Sequence, residues 1–265
     1  MPKFAANLSW LFTELDFMDR FAAAAAAGFK GVECLFPYGH AAADIAAQLA
    51  HNELQQVLIN APPGDWDAGE RGLGCLPGRR DDFRTAMERA LDYATGIGCT
   101  RIHVMAGIAP TGADSAQLQD VLAENLAVAA DLCRGTGVRV MIEPINTADM
   151  PGYFLSSPDR AAALIEAVAS PHLKLQFDIY HAAMAGLDIA GQIKRHFPVI
   201  GHFQVAGMPG RGEPVEGDIE YPALFDLIDG LGYVGWIGCE YRPTGKTTNG
   251  FGWAVNYGIR SPARI

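Results

Sequence analysis

Short apolar runs rich in strand-forming residues recur along the whole chain, at 4–8, 31–35, 55–60, 101–106, 139–145, 173–179, 200–206 and 235–241. Between them lie longer Ala- and Leu-rich stretches with helical periodicity, near 14–27, 40–52, 79–97, 115–135, 157–169, 185–196 and 220–231, and a shorter one near 247–258. Eight strand-then-helix repeats without a Gly/Ser/Pro-rich linker predict a single-domain (β/α)8 TIM barrel over residues 1–265, close to the usual ~250 residues of that architecture. An open doubly wound sheet would carry a Gly-rich phosphate loop after its first strand, and here that position reads Asn7-Leu8-Ser9-Trp10. Two connections, 61–79 and 207–219, are longer than a plain barrel needs. Both follow the C-terminal ends of strands, the face that carries barrel active sites, so they are candidate lids or substrate clamps.

Composition narrows the function classes. The 265 residues hold 30 acidic against 20 basic side chains, a formal charge of −10, with no Lys/Arg run to follow a phosphate backbone, so nucleic acid is not an expected partner. The longest apolar run, 21–29, is too short for a bilayer, which needs roughly 20 apolar residues, and no membrane partner is expected. No apolar signal-peptide core precedes Glu14 and Asp16, which predicts a cytoplasmic protein. The five cysteines contain no CxxC pair and read as small apolar residues in a reducing compartment.

Polar residues punctuate the ends of the apolar strands: Glu33, Asn60, Glu143, Asp178, Gln204 and Glu240. A carboxylate among Val, Ile and Phe is costly to bury unless paired or metal-bound. Strands five to eight offer Glu, Asp, Gln and Glu in turn, all converging on one mouth of a barrel. Three carboxylates and an amide oxygen suit one hard divalent ion, Mg2+ or Mn2+; the other reading is a hydrogen-bonded cluster in which at least one carboxyl stays protonated.

The stretches FAANLSWLF, GFKGVECLFPY, NAPPGDWDAGERGLGCLPGR, IEPIN, PGYFL, QFDIYH, GHFQVA, RGEPVEGDIEY and GWIGCEYRP, in this order and spacing, resemble the hydroxypyruvate isomerase family and its 2-oxo-tetronate isomerase relatives, within the xylose-isomerase-like barrels. The resemblance implies that Glu143, Asp178, Gln204 and Glu240 bind the metal and that Glu143 and Glu240 also form the acid/base pair. It makes His181 a substrate-oxygen ligand or proton relay, Arg211 a substrate contact and Glu213 its orienting partner. Asn60 and Arg71 join the substrate-binding candidates. An arginine from the 61–79 loop, Arg71 or Arg79, suits the carboxylate of a keto acid, although either also reads as a surface charge. Trp10 and Trp66 either wall the pocket or simply pack.

The implied reaction is an aldose–ketose-type isomerisation of a small keto acid, hydroxypyruvate to tartronate semialdehyde, by proton transfer through an enediolate. The alternatives are 2-oxo-tetronate isomerisation and ketose 3-epimerisation. A zinc-dependent DNA-repair endonuclease of related fold shares a DIYH-like segment, but Asn60 and Gln204 stand where its histidines would be needed, and the net charge repels DNA. A ligand-binding module has no need for two glutamates on one metal. The resemblance and the 49% apolar content allow a homo-oligomer.

Overall fold

The computed structural model describes residues 1–262 except Glu216 and Asp218, so those two positions of the 207–219 loop and the last three residues of the expected domain lie outside the described residues. Eight parallel strands close a barrel in sequence order: β1 (Lys3–Asn7), β2 (Gly31–Cys34), β3 (Gln55–Asn60), β4 (Arg101–His103), β5 (Arg139–Ile142), β6 (Leu173–Asp178), β7 (Ile200–Val205) and β8 (Trp236–Cys239). Around it run α1 (Arg20–Ala26), α2 (Ala42–His51), α3 (Arg80–Gly96), α4 (Ser115–Leu132), α5 (Pro158–Val168), α6 (Ile179–Met184), α7 (Ile189–His196) and α8 (Tyr221–Gly230). The expected barrel is present, with local differences. The first helical stretch is shorter than 14–27 and is led by a 3-10 turn at Phe17–Asp19, while 247–258 folds as successive 3-10 turns over Thr247–Tyr257. The short α6 was not expected: Asp178 ends β6 and at once caps α6, its Oδ1 accepting from the Tyr180 N–H at 2.9 Å.

Strand alternation decides what faces the helices and what faces the barrel axis. Phe4, Ala6, Val32, Cys34, Ile59, Val140, Ile142, Leu175, Phe177, Phe203, Val205, Ile237 and Cys239 join the apolar layer shared with the helices. Ala5, Val57, Leu58 and Met141 form a small separate cluster with Trp236 packed against it; a register shift between Val32 and Glu33 interrupts the alternation opposite Val57. One step further along, the inward positions turn polar: Asn7, Glu33, Gln176, His202 and Gln204, all buried. The registers Asn7↔Glu33, Asp178↔Gln204 and Gln204↔Gly238 place these groups side by side. β5 and β8 stop at Ile142 and Cys239, earlier than the apolar runs suggest, so Glu143 and Glu240 sit just beyond their strands, and Pro144 prevents β5 from pairing further. All five cysteines are free and buried, as their apolar reading requires.

The 61–79 loop is pinned to the barrel. The Cys75 N–H donates to Ala106 O (2.7 Å), just beyond β4, and Asn125 Nδ2 on α4 to Gly74 O (2.8 Å), while the Gly72 N–H closes a bond within the loop, to Pro63 O (2.9 Å). Gly72 adopts φ 115°, and a Cβ there would collide with the Met105 backbone carbonyl. Gly72→Ala is therefore expected to destabilise the protein by roughly 1–3 kcal/mol, since both the backbone conformation and the close approach exclude a side chain. Chemical denaturation checks this; an unchanged midpoint would mean that the loop does not rest on the segment just beyond β4.

Candidate active site

A cavity of about 700 Å³ opens at the C-terminal mouth of the barrel, lined among others by Trp10, Asn60, Trp66, Arg71, His103, Glu143, Tyr180, His181, Arg211, Glu240 and Arg242. Two buried carboxyl groups, on Glu143 and Glu240, line it, and a third, on Asp178, lies buried beside them. Arg211, from the loop after β7, reaches down between two of them: its Nη2 donates to Asp178 Oδ2 at 3.1 Å and to Glu240 Oε1 at 2.6 Å. The guanidinium is held from the sides by Trp10 and Tyr180, 4.9 and 5.0 Å from their ring centroids.

One guanidinium does not balance three buried carboxylates. Burial, reinforced by Glu240 and Asp178, pushes the Glu143 carboxyl well above the usual range. Burial also raises Glu240, to about 8, and Asp178, to about 6, against the opposing pull of Arg211. Glu143 Oε1 is buried without a hydrogen-bond partner. Glu143, Asp178 and His181 present ligand-type atoms within 4.8 Å of one another. The carboxylate oxygens of this set suit a divalent cation, which would compensate the orphaned oxygen and the shared negative charge.

The imidazole of His181 has a defined polarity. Its Nδ1 faces Asn146 Nδ2 at 2.7 Å, while Asn146 Oδ1 accepts from the N–H groups of Ala148 and Asp149 at 3.1 and 2.9 Å. That arrangement makes the Asn146 amide nitrogen the donor, so Nδ1 accepts and the proton of the neutral ring sits on Nε2. Nε2 points between Glu143 Oε1 (3.8 Å) and Asp178 Oδ2 (3.7 Å). Burial, with Arg211 and His103 nearby, holds this histidine well below its ordinary pKa. A neutral Nε2–H donor suits an oxygen of a substrate better than a metal.

Of the other expected site residues, Asn60 and Arg71 line the cavity. Arg71 lies 3.8 Å above the Trp66 ring and donates to the carbonyls of Trp66 (2.9 Å) and Glu70 (2.7 Å). Arg79 is instead paired with Glu70 and Asp82 where α3 begins, which resolves the choice between the two loop arginines. Gln204 lies below the cavity: its amide oxygen accepts from Gln176 Nε2 (2.7 Å), and its NH2 group faces Glu33 and Glu240. In this orientation its nitrogen rather than its oxygen faces the carboxylates. Glu213 does not orient Arg211; its Oε1 accepts from the Thr244 N–H at 3.0 Å, and the partners of Arg211 are Asp178 and Glu240. Both tryptophans wall the cavity and serve as shelves for arginines, Trp10 carrying Arg242 at 5.0 Å as well as Arg211.

Sequence reasoning missed Arg242 and His103. His103 is 2% exposed, its Nε2 has no partner, and that atom lies 3.6 Å from Glu143 Oε2. Its signal was available: a lone histidine between the apolar residues Ile102 and Val104, on the inward phase of β4.

Residues 21–257 match the family described as the xylose isomerase-like TIM barrel. The chain is 55% identical to a 2-oxo-tetronate isomerase of Cupriavidus necator, over 97% of this chain and 99% of the relative. The chain belongs to the hydroxypyruvate isomerase and 2-oxo-tetronate isomerase family. A hydroxypyruvate isomerase of Escherichia coli is 42% identical over 97% of this chain and 100% of that relative. A solved structure from Brucella melitensis, described as a family 2 AP endonuclease, is 44% identical with a TM-score of 0.95, covering 97% of this chain and 99% of that one. D-psicose 3-epimerase from Clostridium cellulolyticum H10, at 17% identity and a TM-score of 0.77, shares the fold. Among the described residues no helix is long and apolar enough to cross a membrane, in keeping with the family's barrel.

The titrating groups of the site set a pH dependence for chelator-treated protein. Above the ordinary histidine range the folded state keeps protons on Glu143 and Glu240 that the unfolded chain has released, so rising pH favours unfolding. The buried histidines act in the opposite sense. His103, pushed down to about 3 by burial and by His202, and His181 stay neutral in the fold while the unfolded chain takes up protons below its usual histidine value. The melting temperature should therefore fall between about pH 6.5 and about pH 8.5, by roughly 2–4 °C for each kcal/mol lost. A flat or rising profile over that interval would show that the carboxyls are ionised in the fold.

Proposed function

We propose that this isomerase exchanges the carbonyl and hydroxyl functions of adjacent carbons in a small 2-keto acid, with Glu143 and Glu240 as the proton-transfer pair. The supporting observation is that two buried glutamates with raised pKa values face one cavity whose mouth carries two arginines, Arg71 and Arg242, neither paired with a carboxylate among the described residues. Burial raises both carboxyls in the metal-free site, and a cation held by them would draw the values back down, toward the range in which a carboxyl both takes up and releases a proton. One glutamate removes the proton from the hydroxyl-bearing carbon and the other returns a proton to the former carbonyl carbon of the enediolate, while the hydroxyl proton passes to the former carbonyl oxygen; the two glutamates exchange protonation states, which solvent resets. His181 donates its Nε2–H to the oxygen on which charge develops. Arg211 holds Glu240 and Asp178 in place, and Arg71 receives the substrate carboxylate.

A divalent cation, Mg2+ or Mn2+, bound by Glu143, Asp178 and Glu240 would supply Lewis-acid stabilisation of the enediolate charge. Gln204 would join that set only with its amide turned over, which the contact with Glu33 opposes.

The 55% identity to a 2-oxo-tetronate isomerase favours the four-carbon acid, and the cavity of about 700 Å³ has room for either acid. Hydroxypyruvate stands as the second reading, favoured by the 42% identical relative. Ketose 3-epimerisation has no use for the mouth arginines.

Metal-stripped protein assayed with hydroxypyruvate, 2-oxo-tetronate and a neutral ketose, with and without Mg2+ or Mn2+, tests this directly. Turnover of an acid restored by metal is the expected result; preference for the ketose would overturn the acid assignment. Glu143→Gln and Glu240→Gln should each lower kcat by about 10²–10⁴-fold in a folded protein, and full activity in either would remove that residue from the proton-transfer pair. Arg71→Ala should raise KM for the acid by about tenfold or more with little change for a neutral ketose, the loss of one charge-assisted contact. Equal losses on both substrates would make Arg71 a purely structural residue.

A further inference from the structure

Below the cavity floor lies a buried carboxylate that the proton-transfer chemistry does not use. Glu33 is fully buried, and it does not line the cavity. Its Oε2 is 2.7 Å from His202 Nε2, and its Oε1 accepts from Asn7 Nδ2 at 3.0 Å and from Gln204 Nε2 at 2.8 Å. A charge placed this deep persists only with donors arranged around it. Space is reserved for it as well, since a Cβ at Gly238 on β8 would collide with the Glu33 carboxylate.

The same two amide groups reach Glu240. Asn7 Nδ2 donates to Glu240 Oε2 at 3.0 Å and Gln204 Nε2 at 2.6 Å, so each NH2 group divides its two hydrogens between the two carboxylates. Neither amide is free to turn over. Asn7 Oδ1 accepts from the Ser9 N–H at 3.1 Å, and Gln204 Oε1 accepts from Gln176 Nε2 at 2.7 Å. The two oxygens of Glu240 therefore differ: Oε2 is saturated by two donors from below, while Oε1 meets Arg211 on the cavity side.

We infer that Glu33 is a positioning residue for Glu240, acting through Asn7 and Gln204 to lock the carboxylate plane and turn Oε1 toward the cavity. The inference rests on the assignment of Glu240 to proton transfer made above. A merely structural Glu33 would influence stability, with no selective effect on the chemical step.

Steady-state kinetics of Asn7→Ala, Glu33→Ala and Glu33→Gln, with crystal structures of the parent and of Asn7→Ala, separate the two. Asn7→Ala and Glu33→Ala should lower kcat by about 10–100-fold while KM stays within about threefold of the parent, the usual scale for groups that orient a reacting residue. Glu33→Gln should recover kcat to within about fivefold, because its amide oxygen still accepts from both NH2 groups and its own NH2 can donate to His202. If Glu33→Ala does not fold, Asn7→Ala carries the test. Three results would each overturn the inference: a kcat near the parent value in Asn7→Ala, a loss confined to KM, or a Glu33→Gln variant as impaired as Glu33→Ala. The crystal structures decide independently of turnover. A rotated Glu240 in Asn7→Ala supports positioning even if the parent turns over no keto acid, in which case the proposed reaction alone falls; an unmoved Glu240 sinks the positioning role.

Discussion

Everything in this molecule is arranged around the burial of like charges at one end of a closed barrel. Glu33, Glu143, Asp178 and Glu240 are each less than a tenth exposed, and Arg211, the arginine that reaches the cluster among the described residues, pairs with two of them, Asp178 and Glu240. Such a cluster is unfavourable by several kcal/mol per uncompensated ion, so it persists only because the surrounding fold is rigid and supplies directed donors. The barrel provides both. Parallel strands fix each inward side chain within one residue of its neighbour's height, and the registers bring Asn7 beside Glu33 and Gln204 beside Asp178.

The vertical order inside the barrel follows from that constraint. The lower level is apolar and small, with Ala5, Val57 and Met141 packed with Trp236, and it excludes water from below the charges. The middle level is a layer of amides and imidazoles, Asn7, Gln176, His202 and Gln204, whose hydrogen bonds point at Glu33 and at one another. Only the top level meets the cavity. A carboxyl at that height has one side in the organised polar layer and the other toward substrate, which is how its two oxygens come to have separate duties.

The strand and helix count was legible because each strand's outward residues are continuous Val, Ile, Leu and Phe, a strong signal for burial under helices. The strand-end acids were legible for the same reason, standing out against that background. Much of the inner layer was not. Gln176 and His202 sit in the same runs as Asp178 and Gln204 but were not singled out, and recognising them as inward-facing required knowing the phase of the alternation. Partner choice was less legible still: Glu213 is two residues from Arg211, yet φ 58° at Arg211 turns the chain so that the guanidinium and the carboxylate point to different partners. Pairing by sequence proximity assumes an ordinary backbone, and here it is left-handed.

The arrangement of arginines at the mouth solves a problem that the composition creates. A net charge of −10 repels an anionic substrate, but beyond a Debye length of about 8 Å that repulsion is screened, and the sign of the nearest groups decides entry. Arg71 rests on Trp66 and Arg242 on Trp10, so each guanidinium is held by an aromatic face instead of a carboxylate. A carboxylate partner would fix the side chain equally well but would cancel the charge that must meet the substrate. A tryptophan shelf immobilises the planar group while leaving its charge and its N–H donors available, a role in which lysine, with no planar face to stack, would serve less well. Arg71 and Arg242 thus set unpaired positive charge at the mouth, beside the acidic Asp149, above a floor of crowded carboxyl groups. On the proposed function, an acid that enters would be gripped at its carboxylate end by the rim, and its neutral hydroxy-carbonyl end would be the part that meets the glutamates.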